Sequence, residues 1–108
     1  MKLPNPDLAV VDIVKLRAYC LSSTHPRGRH KARVFFEALG MSDAEELRAF
    51  LLSAARMREA VAAGEDRYGV RYVIDFPVMR AGRQARVRSA WIVRSGENFA
   101  RLTSCYVL

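Results

Sequence analysis

Two histidines enclose a short basic loop, and they are the side chains of this sequence best suited to proton transfer. His25 and His30 stand on either side of Arg27 and Arg29, and Lys31 follows directly. Histidine gives and takes protons near neutral pH without special tuning, and guanidinium and ammonium groups bind phosphate oxygens. The loop is therefore a candidate for phosphate chemistry, although a loop histidine is often solvent-facing and inert.

A metal-independent ribonuclease needs only a few kinds of side chain. Internal attack by the 2′-hydroxyl of RNA requires a group that accepts its proton, a group that protonates the leaving oxygen, and cations near the phosphorane. His25 or His30 would transfer the protons. The other candidates carry a positive charge or a hydroxyl group, and they are Lys31, Arg88, Arg101, Ser104 and Tyr106.

Several of these residues have a purely structural interpretation as well. Arg86 and Arg88 are two positions apart in a predicted strand, so they lie on one face of the sheet. That face is either a row of phosphate-binding side chains or the solvated side of an amphipathic strand. Trp91 is more typical of a core than of a base-stacking site, and Phe35 and Phe36 are predicted core residues.

Neither a metal site nor a cofactor site is predicted. His25 and His30 have no carboxylate or thiolate nearby, and Gly28 alone is not a glycine-rich nucleotide loop. Cys20 and Cys105 lie in apolar surroundings without metal-ligand spacing, so both are expected to be buried thiols.

The charge of the chain is segregated. Its 108 residues include 18 Lys and Arg against 11 Asp and Glu, a net charge of +7, and no acid occurs in residues 24–36 or 76–96. One positive face is expected, with RNA as the best single partner; a merely soluble basic surface is the alternative. No uncharged run approaches the roughly 20 residues of a membrane span, and the N-terminus lacks the apolar core of a signal peptide, so we expect a cytoplasmic location.

The first half of the sequence has helical periodicity. A first helix over 8–21 is predicted to begin near Asp12 as its N-cap, and a second over 30–40 ends at a glycine. A third begins after the capping box at 42–45 and ends near Gly64.

The second half alternates with the period of strands. Residues 70–76 predict a strand ended by Pro77, and two further strands follow over 85–94 and 99–108. The order predicts an α+β fold, in which about three N-terminal helices pack on one face of a C-terminal antiparallel meander of three or more strands. We expect a single domain over residues 1–108, with the first ten residues a loose extension.

Five blocks of the sequence resemble a family of small bacterial domains of unknown function. The match runs from Lys15 to Tyr106, and its most distinctive part is the His-Pro-x-Gly-x-x-Lys-Ala block. The blocks are Lys15-Leu16-x-x-Tyr19, His25-Pro26-x-Gly28-x-x-Lys31-Ala32-x-x-Phe35-Phe36-x-x-Leu39-Gly40, Tyr68-Gly69-x-x-Tyr72-x-Ile74, Val87-Arg88-Ser89-x-Trp91 and Arg101-Leu102-x-Ser104-x-Tyr106.

The resemblance implies both a fold and an activity. Similar domains occur alone or as the C-terminal tips of contact-dependent and polymorphic toxins, with a fold of the barnase, EndoU, colicin and RelE ribonuclease type. It implies a metal-independent ribonuclease, with transfer RNA as one candidate substrate. It also implies that an immunity or antitoxin protein inhibits this ribonuclease.

This chain departs from the family at several positions. His30 stands where the family usually has Ser, Ser89 and Ser104 where it has Thr, and Ala100 and Val107 where it has Pro. Serine for threonine keeps a hydroxyl group, whereas His30 either adds a proton carrier or is a passenger.

Pattern and resemblance together give the expected site. The candidate catalytic residues are His25, Lys31, Arg88 and Ser104. The candidate substrate-binding residues are Arg27, Arg29, His30, Arg86, Arg101 and Tyr106. Three function classes stay open: an endoribonuclease toxin domain, a non-catalytic nucleic-acid-binding module, and an interaction domain for an acidic partner such as an immunity or antitoxin protein.

Overall fold

The computed structural model describes residues 1–108, with helices in the first half and a sheet in the second. The elements are a 3-10 turn Pro6–Leu8, α1 Ile13–Lys15 continued by a π-helical turn Leu16–Cys20, α2 Arg29–Leu39, α3 Ala44–Met57, β1 Val61–Asp66, β2 Gly69–Arg80, β3 Arg83–Arg94 and β4 Arg101–Val107. The strands form one antiparallel sheet in the order β1-β2-β3-β4. The predicted α+β fold is confirmed. None of the helices is long and apolar enough to cross a membrane.

The core lies between the helices and one face of the sheet. Alternate residues of β2, such as Ile74, are buried because successive side chains of a strand point to opposite faces. Phe35 of α2 and Leu51 of α3 belong to the same hydrophobic cluster. Trp91 is also in this core, as predicted, and its indole N–H donates to the hydroxyl of the buried Ser89.

The third helix ends earlier than predicted, and a strand follows it. α3 ends at Met57, and residues 61–66 form β1 instead of a helical end near Gly64. All six residues of β1 are exposed, so their side chains show no alternation that would indicate a strand. The strand forms because β2 offers a free edge, where Val61 pairs with Val73.

The prediction that Pro77 ends its strand is wrong. β2 continues to Arg80, and Pro77 pairs with Arg86 of β3. β1 pairs with β2 only as far as Val73, so the other side of β2 is a free edge at Pro77. A proline there loses no ladder hydrogen bond on that side, which is the position where strands tolerate it.

The prediction that Phe36 belongs to the core is also wrong. The buried residues of α2 are Ala32, Phe35 and Leu39, which share one face of the helix. Phe36 is 60% exposed and lines a surface cavity of about 690 Å³. The next residue in a helix is rotated by about 100°, and in α2 this rotation turns Phe36 away from the face that buries Phe35.

The first ten residues are not a loose extension. Leu3 is only 2% exposed and belongs to the hydrophobic cluster. Val10 makes a parallel bridge to β4, in which its N–H donates to the carbonyl of Ala100 and its carbonyl accepts from Leu102. The segment is held by the same core as the rest of the chain.

A two-residue turn joins β2 to β3 and fixes the register of the hairpin. Both turn residues have positive φ, 50° at Ala81 and 77° at Gly82, as a type I′ turn requires. The register sets Asp75 opposite Arg88. The turn therefore determines a contact that lies in the middle of the sheet.

We expect Ala81→Asn to raise the free energy of unfolding by about 0.5–1 kcal/mol, because alanine is strained in the left-handed region and asparagine tolerates it. Thermal melting would show this as an increase of roughly 2–8 °C for a domain of this size. The matched change Gly82→Ala should lower the melting temperature, since it introduces that strain. A lower melting temperature for Ala81→Asn would contradict the prediction.

Candidate functional site

Tyr19 is positioned by the π-helical turn that follows α1. The turn is closed by the N–H of Leu21, which donates to the carbonyl of Leu16 at 2.8 Å. As predicted, Asp12 caps the preceding helix and accepts from the N–H of Val14. The wider turn changes the direction in which Tyr19 projects, and such single π turns are frequent at functional sites.

The loop before α2 is organised by the imidazole of His25. Its Nδ1 accepts from the backbone N–H groups of Arg27 and Gly28, both at 3.0 Å, and its ring meets the ring of Tyr19 edge-on at 4.8 Å. An Nδ1 that accepts two hydrogen bonds carries no proton, so the neutral ring has its hydrogen on Nε2. Protonation at Nδ1 would break both loop hydrogen bonds. Proton transfer by His25 would therefore have to involve Nε2, which in this neutral form already carries its hydrogen.

Gly28 allows α2 to begin directly against the backbone of Tyr19. A Cβ at this position would lie 1.9 Å from the Tyr19 carbonyl oxygen, which no side chain can accommodate. The His-Pro-x-Gly part of the block thus has a backbone role: His25 closes the loop and Gly28 permits the close approach. The next turn of α2 then carries Lys31 to Tyr19.

Lys31 is the centre of a group of side chains from three elements. Its Nζ donates to Ser104 Oγ at 3.0 Å and to Tyr19 Oη at 3.4 Å. The same ammonium lies 4.9 Å from the centre of the Tyr19 ring and 5.5 Å from that of Tyr106. Lys31 forms no ion pair with a carboxylate. We call Tyr19, Lys31, Ser104 and Tyr106 the Lys31 cluster.

A bulge in β4 turns two members of this cluster away from the core. Ser104 pairs with one residue of β3 and Leu102 with the next, so Thr103 is the extra residue. Leu102 and Cys105 are consequently both buried, while Ser104 and Tyr106 are partly exposed on the opposite face. Bulges of this kind occur beside functional sites, where they redirect a side chain.

Arg88 lies next to the Lys31 cluster and is held by Asp75. Its Nε and Nη2 donate to the two carboxylate oxygens of Asp75, each at 2.8 Å. These hydrogen bonds lower the pKa of Asp75 and raise that of Arg88, with the hydroxyl of Tyr106 as a smaller cause for Arg88. Tyr106 is the cross-strand partner of Arg88 on β4. The pair keeps a guanidinium oriented beside the cluster.

The other predicted site residues lie outside the cluster. Arg101 donates to both carboxylate oxygens of Glu97, at 3.0 and 2.9 Å, and lies three residues before Ser104, roughly 10 Å along the strand. The structure therefore does not bring Arg101 to Lys31. The remaining candidates are all exposed, and they are Arg27, Arg29, His30 and Arg86.

Sequence reasoning missed two residues of the site, Tyr19 and Asp75. Tyr19 was part of the first resembling block, but nothing local linked it to Lys31. Asp75 could have been found, because it is the one acid in an otherwise apolar and basic strand. Counting back from a two-residue turn at Ala81 and Gly82 places it opposite Arg88.

The two cysteines lie beneath the Lys31 cluster and are both buried, as predicted. Each directly follows a hydroxyl partner of Lys31, Cys20 after Tyr19 and Cys105 after Ser104. Hydrogen bonding to Cys20 and burial raise the pKa of the Cys105 thiol. Cys105 therefore stays protonated and contributes to packing.

The fold and the site define a small basic α+β domain with an ammonium group held by hydroxyls beside its sheet. A family model described as "Domain of unknown function (DUF6883)" matches residues 2–108, and the chain belongs to that family. A comparison with curated proteins finds no match. The family match agrees with the resemblance found in the sequence, and membership of the ribonuclease-type superfamily stays a prediction.

A chain of one solved structure is similar to this one over nearly its whole length. The structure is titled "Contact-dependent growth inhibition toxin - immunity protein complex", from Klebsiella pneumoniae 342. The two chains are 16% identical with a TM-score of 0.69, and the match covers 92% of this chain and 99% of the other. At this identity the likeness shows a shared fold.

Proposed function

We propose that this protein is a metal-independent endoribonuclease-type toxin domain that cleaves RNA, including transfer RNA, by attack of the 2′-hydroxyl. The proposal is based on the hydrogen bonds and the unneutralised charge of Lys31. Its ammonium is held by Ser104 Oγ and Tyr19 Oη, and no carboxylate neutralises it. A cation fixed in this way is poised for an anionic ligand.

The neighbours of Lys31 favour a phosphate as that ligand. Arg88 adds a planar guanidinium whose orientation Asp75 fixes, and guanidinium groups match phosphate oxygens. The hydroxyls of Ser104 and Tyr106 add hydrogen-bond donors on the same face. Preoriented donors and cations stabilise the charge of a phosphorane without reorganising during the reaction.

The proposed reaction is a transesterification of the RNA backbone. The 2′-oxygen bonds to phosphorus and the bond to the 5′-oxygen breaks, which leaves a 2′,3′-cyclic phosphate and a 5′-hydroxyl end. The proton of the 2′-hydroxyl passes to the leaving 5′-oxygen through a hydroxyl of the cluster, which accepts one proton as it gives up its own, so that no net proton is gained or lost. Lys31 balances the phosphorane charge, and Arg88, whose own charge Asp75 pairs, adds hydrogen-bond donors. His25 acts on this site by holding the loop that positions Lys31, since its Nδ1 is engaged by Arg27 and Gly28.

We expect the purified protein to cleave RNA in EDTA as well as in magnesium, because the Lys31 ammonium, which no carboxylate neutralises, supplies the positive charge that a metal would otherwise provide. The product ends are the most specific measurement. The 3′ ends should resist phosphatase until acid opens the 2′,3′-cyclic phosphate, and the 5′-hydroxyl ends should be phosphorylated by polynucleotide kinase without prior dephosphorylation. Intact total RNA after long incubation with excess protein, under both conditions, would overturn the proposed activity.

The shared fold also supports a protein partner. The solved chain belongs to a complex of a toxin and its immunity protein. An excess of seven positive charges gives this chain a surface that complements an acidic protein. We propose that such an immunity or antitoxin protein binds over the Lys31 cluster and excludes RNA.

One observation favours a second candidate, a non-catalytic RNA-binding module. His25, the histidine whose ring contacts Tyr19 of the cluster, uses its proton-accepting nitrogen within its own loop. Such a module would bind RNA through the same cations and leave it intact. Two results together would favour this candidate: RNA stays uncleaved, and its affinity for the protein falls as salt is added. The slope of log affinity against log salt concentration should be roughly −0.7 per phosphate contact on single strands.

A further inference from the structure

A second cavity opens directly beside Lys31. Its volume is about 250 Å³, and its lining residues are His30, Lys31, Val34, Tyr106 and Val107. His30 and Val34 project from the exposed side of α2, while Tyr106 and Val107 come from the end of β4. The cavity therefore lies where the helix meets the edge strand, next to the Lys31 cluster.

The walls of this cavity suit a flat, largely apolar ring. Val34 and Val107 are aliphatic, and His30 and Tyr106 each present a ring. Lys31 is the one lysine or arginine of the lining, and its Nζ lies 5.5 Å from the centre of the Tyr106 ring. Histidine and tyrosine rings are surfaces on which unpaired bases stack in RNA complexes.

The volume of the cavity limits its ligand to a part of a nucleotide. Pockets for drug-sized ligands measure roughly 300–1,000 Å³, so a volume of about 250 Å³ holds less than a whole nucleotide. A base fits this requirement if its ribose and phosphate remain outside, near Lys31. The charge on Lys31 then binds the phosphate while the rings bind the base.

We propose that this cavity is the subsite for one unpaired nucleobase, adjacent to the phosphate that Lys31 binds. The proposal rests on the proposed function and adds that the substrate is single-stranded at the cleavage point, because a paired base cannot enter. His30 is a specificity-determining residue in this arrangement, since its ring lines the cavity together with that of Tyr106. Its side chain is exposed, so its replacement should leave the fold intact.

The test uses two short 2′-O-methylated RNA strands of equal length, which cannot be cleaved because the nucleophile is blocked. One carries bases throughout and the other is abasic, so both have the same phosphates. Stacking of a base on an aromatic side chain is worth about 1–3 kcal/mol, so the base-bearing strand should bind about 5- to 150-fold more tightly. His30→Ala should remove most of this difference, and His30→Phe should keep it.

Arg29→Ala is the matched control, because Arg29 is exposed on the same first turn of α2 and is not in the cavity lining. The Arg29→Ala substitution should weaken the binding of both strands equally.

Equal affinity of the parent for both strands, with salt-sensitive binding, would overturn the base subsite but not the proposed RNA interface. A base preference unchanged in His30→Ala would also overturn it, and no binding of either strand would overturn both proposals. Base-dependent binding with uncleaved natural RNA would retain the subsite and refute the ribonuclease.

Discussion

Lys31→Met is expected to slow RNA cleavage by about 10²–10³-fold, which is the usual effect of removing one charged or hydrogen-bonding stabiliser of a transition state. Methionine keeps most of the aliphatic stem against Tyr19 and Tyr106 but lacks the ammonium that donates to Ser104. The rate of cleavage of a defined oligonucleotide under single-turnover conditions is the measurement. Thermal melting should change little, because Lys31 is partly exposed and its stem is retained.

Arg33→Met is the matched control for Lys31→Met. Arg33 lies on the same helix, two residues further on, and its side chain is 67% exposed with only a long ion pair to Glu37. Both variants lose one positive charge, so a general electrostatic effect would appear in both. If Arg33→Met loses as much activity as Lys31→Met, the cluster is not the reaction site and the basic surface acts as a whole.

We expect the two substitutions His25→Ala and His25→Asn to differ in their effects on stability and on RNA cleavage. His25→Ala removes the acceptor for the N–H groups of Arg27 and Gly28, and we expect it to lower the free energy of unfolding by about 1–2 kcal/mol. It also releases the start of α2, and a displacement of about 1 Å at Lys31 is enough to reduce cleavage by about 10²-fold.

His25→Asn should restore most of both losses. The asparagine Oδ1 accepts from backbone N–H groups two or three residues onward, as it does in Asx turns and N-caps, so it can replace Nδ1. Asparagine has no group equivalent to Nε2–H. We therefore expect cleavage within about tenfold of the parent, measured in the same single-turnover assay as Lys31→Met. If His25→Asn is as stable as the parent but as inactive as His25→Ala, then Nε2 takes part in the proton transfer, as the sequence suggested.

The contrast between these two variants bears on how the His-Pro-x-Gly-x-x-Lys block is interpreted. A histidine followed by a lysine invites a catalytic interpretation of the histidine. In the structure, His25 and Gly28 shape the backbone, and Lys31 is the residue that reaches the other elements. Under the proposed function, the seven positions from His25 to Lys31 therefore form a phosphate site in which Lys31 binds the phosphate and His25 shapes the loop.

Local features of the sequence determined the fold class of this protein. Apolar spacing within one turn predicted the helices, the capping residue Asp12 and the left-handed Gly40 are where the pattern indicates, and the alternation in β2 and β3 reports a sheet with one buried face. These signals depend on residues that are close in the chain, so they need no knowledge of the tertiary structure. The segregation of charge is likewise a property of the sequence alone.

The tertiary structure decided everything that depends on distant partners. β1 has no pattern of its own and forms on the edge of β2, and the bulge at Thr103 determines that Ser104 faces away from Leu102. Lys31 and Ser104 are separated by 73 positions, and only the packing of α2 against the edge strand brings them to 3.0 Å. Strand register and helix packing are set by the sum of many weak contacts across the core, and no window of neighbouring residues contains that sum.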